Sequence, residues 1–175
     1  MRLPFLVVLL LAACADGSDD GAAAPDDAPG QAAQRASATT SFRPDAEACL
    51  AQTIYHEARG ESVAGMRAVG AVVLNRRASV GYPDTVCGVV RQADDLGRCQ
   101  FSWFCDGRTD VMKDGEALAR AQAAARALMN GAPDPTGGAT SFHATRIRPA
   151  WADEMEETAR IGAHVFYANE AGEEG

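Results

Sequence analysis

The sequence predicts an α+β domain, mostly helical, with a small sheet or hairpin. Three observations predict it. Apolar residues recur at helical spacing through residues 45–59 and again through 62–78. An alanine-rich run from Asp114 to Asn130 has the composition of a third long helix. After Gly138 the pattern changes to short extended runs, Ala139 to Ile147 and Ala163 to Tyr167. Helices first and short strands later is the order expected of an α+β domain, and no internal repeat is visible.

The 175 residues allow one modest domain plus extensions. Residues 1–13 read as a secretory signal. Arg2 precedes an apolar run, Leu3 to Leu11, that is too short to span a bilayer. Leu11-Ala12-Ala13-Cys14 resembles a bacterial lipobox, which implies cleavage before Cys14 and lipid on its thiol and amine. Several acyl chains would anchor firmly, because each buried CH₂ contributes about 0.8 kcal/mol. Residues 14–45 are rich in Ala, Asp, Gly, Pro, Ser and Thr. They cannot bury enough apolar surface to offset their ordering entropy, and read as an acidic tether.

The domain is read as residues 46–168, with an acidic tail at 169–175. Its first helix is predicted from Asp45 to Arg59. Leu50, Ile54 and Ala58 lie on one face, and Gly60 stands just past the end. A second helix, Ser62 to Ala78, has an apolar face wide enough for near-complete burial. Gly65 and Gly70 weaken it intrinsically, or permit close helix approach. Asp84 is the predicted cap of a short helix reaching about Val90. Cys99 to Cys105, with Phe101, Trp103 and Phe104, reads as a strand pair or hairpin. Gly131 closes the helix at 114–130. Residues after Trp151 read as polar connection.

Without Cys14, four cysteines remain: Cys49, Cys87, Cys99 and Cys105. An even number in an exported chain reads as two disulfides, with three connectivities open. Cys99 and Cys105 are near enough to bridge a hairpin, which would leave Cys49 with Cys87. The chain carries 24 acidic and 16 basic residues, for a net charge of −8. No basic patch suggests nucleic acid.

The chemistry centres on Ile54-Tyr55-His56-Glu57-Ala58-Arg59-Gly60-Glu61. Glu57 falls in the last turn of the predicted helix. Unpaired carbonyls there disfavour a carboxylate and raise its pKa, as a general acid requires. The competing reading is a solvated glutamate paired with Arg59. Zinc fits poorly, because the metalloprotease helix needs a second histidine where Gly60 stands. His143 and His164 are distant in sequence. A Cys87–His143 nucleophilic dyad is a further alternative. Tyr55, Asn75, Gln100, Ser102, Trp103, His143 and Tyr167 are candidate sugar contacts. No metal or cofactor is expected.

Five blocks in order then carry a resemblance. They are Cys49 to Glu61, Val69 to Arg76, Tyr82 to Val90, Cys99 to Ser102, and Ile161 to Tyr167. Together they resemble the SleB-type cell-wall hydrolase domain of spore cortex-lytic enzymes. The resemblance implies a lysozyme-like fold that cuts the peptidoglycan glycan strand, with Glu57 as the catalytic acid. The spore enzymes it resembles imply a lytic transglycosylase route, in which the muramic C6 hydroxyl closes a 1,6-anhydro ring, but the motif leaves muramidase-type hydrolysis open beside it. The lipobox suggests a Gram-negative envelope with the domain facing the periplasm, and Ala15 favours the outer membrane. A monomer is expected. The alternatives are an inactive peptidoglycan-binding lipoprotein, or a cysteine or zinc amidase acting on the stem peptide.

Overall fold

A computed structural model describes residues 42–169. The signal segment, Cys14, nearly all of the tether and the tail from residue 170 lie outside the described residues. Helix α1 runs Phe42–Ala58 and α2 runs Val63–Ala78. A short α3 spans Val86–Arg91, and α4 spans Gly115–Met129. Strands β1 (Ser141–Ala144), β2 (Glu156–Ile161) and β3 (His164–Ala168) form one antiparallel sheet in the order β1-β3-β2. Single 3₁₀ turns occupy Ser102–Phe104 and Ala150–Asp153.

Helix α1 is the hub of the helical half and packs against α2, α3 and α4. Its buried face carries Leu50, Ala51, Ile54, Tyr55 and Ala58. Helix α2 is buried almost all round, as its wide apolar face predicts. At Gly70, α2 lies close against α4 and α1. A Cβ there would lie 2.6 Å from Leu128 Cδ1 and 2.8 Å from Ile54 Cδ1, so this glycine permits close approach. In the sheet, Phe166 joins the main core, while Val165 and Tyr167 face a smaller cluster with Ala152, Trp151 and Met155. Central β3 is thereby buried on both faces.

Helix boundaries differ from the sequence reading in instructive ways. α1 begins three residues earlier, inside the stretch read as tether, and ends one residue earlier. Its end is closed by the Glu61 N–H donating to the Ala58 carbonyl at 2.9 Å, and Gly60 has no positive φ. Gly131 does play the expected role after α4, at φ +88°. The cap of α3 is Thr85 rather than Asp84, its hydroxyl accepting from Gly88 N at 3.1 Å.

Cys99 to Cys105 is not a hairpin. Phe101 and Trp103 are buried while Ser102 and Phe104 are exposed, an alternation with the period of a strand. The segment nevertheless lacks a strand partner beyond one isolated bridge, Ala93 with Cys99, and closes into a 3₁₀ turn. Strand β2 is an addition to the sequence reading. Its charged run, Glu156 to Arg160, is an exposed edge strand, held by pairing with β3 rather than by its own apolar pattern. The disulfides are Cys49–Cys87 and Cys99–Cys105.

Candidate active site

Between the C-terminal end of α1 and the sheet lies a cleft of about 470 Å³. His56 and Glu57 form one wall. Phe142, His143 and Ala144 of β1 and His164 of β3 form another. Arg146, Ile147, Pro149 and Trp151 complete the lining.

Glu57 is half-buried, and its carboxyl makes no ion pair among the described residues. Arg59, its expected partner, instead lies over the Tyr55 ring, 5.6 Å from the centroid. Burial pushes the Glu57 pKa up, and the nearby charge of Arg76 opposes it. The sequence reading anticipated the direction from the helix end; the chief cause is desolvation. Arg76 is itself buried, its Nε donating to the Thr140 carbonyl at 2.6 Å. Its guanidinium sits over the rings of Tyr82 and Phe101. Arg76 thus ties α2 to the start of β1, the strand that forms the opposite wall.

Glu61, the second carboxylate of the motif, has a different task. Its Oε1 accepts from Ala163 N at 3.1 Å and lies 3.6 Å from His164 Nδ1. Arg120 Nη2 donates to its backbone carbonyl at 2.5 Å. At Gly162, with φ +61°, there is no room for a Cβ beside the Glu61 carboxylate. Glu61 therefore pins the β2–β3 turn beneath the cleft and is not among its lining residues.

The cleft histidines are held in place. A carbonyl only accepts, so His143 Nδ1 donates to Ala144 O at 3.0 Å, and its Nε2 is hydrogen-bonded to the Tyr167 hydroxyl at 3.0 Å. Trp151 packs edge-on to both rings. His56 is stacked on Trp103, with centroids 4.5 Å apart. Burial pushes the pKa values of His56 and His164 down, which favours neutral rings beside the acid.

Of the seven predicted sugar contacts, His143 lines the cleft. Trp103 is buried behind His56. Tyr167 is buried behind His143. Tyr55 is also buried, its hydroxyl accepting from Asp114 N at 3.1 Å at the start of α4. Asn75 donates to Asp134 and to the Ala139 carbonyl, clamping the loop before β1. Both are framework groups rather than cleft residues. Gln100 and Ser102 are exposed but are not part of the lining. Phe142, Arg146, Ile147 and Trp151 are cleft residues that the sequence reading did not select. No local pattern marks them, because only the sheet and the following loop bring them to Glu57.

Cys87 is bonded to Cys49, so it cannot serve as the nucleophile of a Cys87–His143 dyad. Among the described residues no group of three or more His, Cys, Asp or Glu is placed to hold a metal ion.

Residues 60–167 match the family described as Cell Wall Hydrolase. The chain belongs to the cell wall hydrolase family. Spore cortex-lytic enzymes are among the relatives of this cell wall hydrolase. That of Halalkalibacterium halodurans is 36% identical over 118 residues, covering 67% of this chain and 33% of the relative. That of Bacillus subtilis is 32% identical, covering 67% and 35%. The chain thus spans about a third of the length of these curated relatives. Among solved structures it is similar to the catalytic domain of the germination-specific lytic transglycosylase SleB from Bacillus anthracis. That likeness has a TM-score of 0.58 and 31% identity, over 70% of this chain and 93% of that one. The catalytic domain of Bacillus cereus SleB is also similar, with a TM-score of 0.56 and 29% identity, over 71% and 91%. The expected lysozyme-like fold is therefore that of a SleB catalytic domain, with four α-helices and a three-stranded sheet among the described residues. The family match begins three residues beyond Glu57, so the reading of Glu57 rests on the cleft geometry.

Proposed function

We propose that this cell wall hydrolase cleaves the glycan strand of peptidoglycan between N-acetylmuramic acid and N-acetylglucosamine, with Glu57 as general acid and then base. One observation carries the reading. Glu57 is the single carboxylate lining the cleft, it is unpaired, and burial favours its protonated form. A protonated carboxyl can donate to the glycosidic oxygen as the bond breaks. Glycosidases that use water or a covalent intermediate place two carboxylates about 5–10 Å apart across the bond. Here Glu61 is committed to Ala163 N, which supports a one-carboxylate route. In that route the ionised Glu57 takes the proton of the muramic C6 hydroxyl as it closes a 1,6-anhydro ring. Atoms balance without water, and the acid returns to its starting state.

Mass spectrometry of products from purified sacculi tests this. Anhydromuramic ends are the expected result. Reducing muramic ends would replace the ring-closing step with hydrolysis, and release of stem peptides alone would overturn glycan cleavage.

The reading extends to location. Lipid on Cys14 would hold a monomeric domain to the envelope, facing the periplasm, with the outer membrane favoured. Wild type is expected to incorporate labelled palmitate and pellet with membranes, and Cys14→Ser to do neither. A Cys14→Ser protein that still carries label would remove the anchor.

A further inference from the structure

We propose that Arg146 is a specificity-determining residue that reads a carboxylate on the glycan strand. The inference rests on the glycan-cleaving reading above. A chain with net charge −8 tends to repel an anionic polymer. The cleft departs from that balance. Its one carboxylate is Glu57, and its one arginine is Arg146.

Arg146 is exposed and makes no ion pair among the described residues. What distinguishes it from the other exposed arginines without an ion pair, such as Arg77, Arg91 and Arg108, is its place in the cleft lining. Arg148, two positions on, is paired with Asp153, and Arg98, Arg126 and Arg160 each hold a carboxylate of their own. Arg146 thus brings a guanidinium with no carboxylate partner to the cleft. Its charge is felt at His164 on the cleft wall. Beside it, Ile147 is 54% exposed, and Pro149 and Trp151 continue an apolar strip along the lining.

This combination of a planar five-donor fork and an alkyl surface suits a carboxylate carried on a short aliphatic arm. The muramyl unit offers that chemistry and the glucosamine unit does not. The muramyl carboxyl hangs from a lactyl ether. It is a free carboxylate where the stem peptide is missing, and leads to the stem's own carboxylates where the stem is present. Binding there would also set which sugar occupies that side of the scissile bond.

Four strand preparations separate the sources. They are strands with intact stems, amidase-stripped strands with free lactyl carboxylates, and each of these after carbodiimide conversion of carboxylates to neutral amides. For wild type, kcat/KM is expected to favour each carboxylate-bearing strand over its amidated form. In Arg146→Gln that ratio should shrink about tenfold, through KM, as for loss of a charge-assisted hydrogen bond. Arg146→Lys should restore part of it. The larger wild-type ratio identifies the source of the carboxylate. The inference is overturned if the ratio is the same in wild type and Arg146→Gln, or if wild type shows none. Wild type inert on every preparation would remove the glycan-cleaving reading instead. Carboxylate-dependent co-sedimentation with sacculi, compared between wild type and Arg146→Gln, would then decide the role of Arg146.

Discussion

Glu57→Gln is expected to abolish release of muropeptides from purified sacculi. Glutamine keeps the shape of the side chain but cannot deliver a proton to a leaving oxygen. Loss of a general acid costs on the order of 10²–10⁴ in rate. Folding should survive, because the Glu57 carboxyl makes no ion pair and its burial favours a neutral group. An unchanged far-ultraviolet circular dichroism spectrum and an unchanged or slightly raised Tm would show this. Full activity in the variant would remove Glu57 from the reaction. The pH profile supplies a second readout. The acid must be protonated, so the rate falls as pH rises through the raised Glu57 pKa. Arg76 holds that value down, so Arg76→Met should move the alkaline limb to higher pH, while Arg76→Lys should leave it nearer its wild-type place. Arg76→Met also leaves the Thr140 carbonyl without its donor, a cost of about 1–3 kcal/mol in stability, followed separately by urea unfolding.

Removing the Cys49–Cys87 bond has the largest expected effect on stability. It links residues 38 positions apart. Closing a loop of that length restricts the unfolded chain by about 4 kcal/mol on the chain-entropy estimate, a large share of a small domain's stability. The Cys99–Cys105 bond closes six positions and is worth about 2 kcal/mol on the same basis. Urea unfolding of the Cys49→Ala/Cys87→Ala double variant should therefore show about twice the loss seen for Cys99→Ala/Cys105→Ala. Equal losses would count against the entropic account. Position 49 precedes Glu57 by eight residues on α1, or about 12 Å of helix. Activity well below the unfolding temperature should therefore persist in the 49/87 variant.

Legibility followed locality. Helices α1, α2 and α4 were readable because their signals lie within a few residues of one another: apolar spacing, Asp114 at one end and Gly131 at the other. Glu57 was readable as an acid at a helix end for the same reason. The aromatic run Phe101 to Phe104 misled, because aromatics enriched in strands suit a tight turn with two inward rings as well. Strand β2 carries almost no apolar signal, since its stability comes from β3.

The polar residues divide most clearly. Tyr55, Asn75 and Tyr167 looked like sugar contacts because they carry hydrogen-bonding groups. Only packing reveals that those groups are satisfied by Asp114 N, by the 134–139 loop and by His143. By itself the sequence determined the helices, the four cysteines of the domain and the carboxylate at the end of α1, all encoded at short range. The tertiary structure alone decided the cleft. His143, Arg146, Trp151 and His164 stand 86 to 107 positions after Glu57, and only the β1-β3-β2 sheet with the loop after β1, pinned by Glu61 and Arg76, brings them to it.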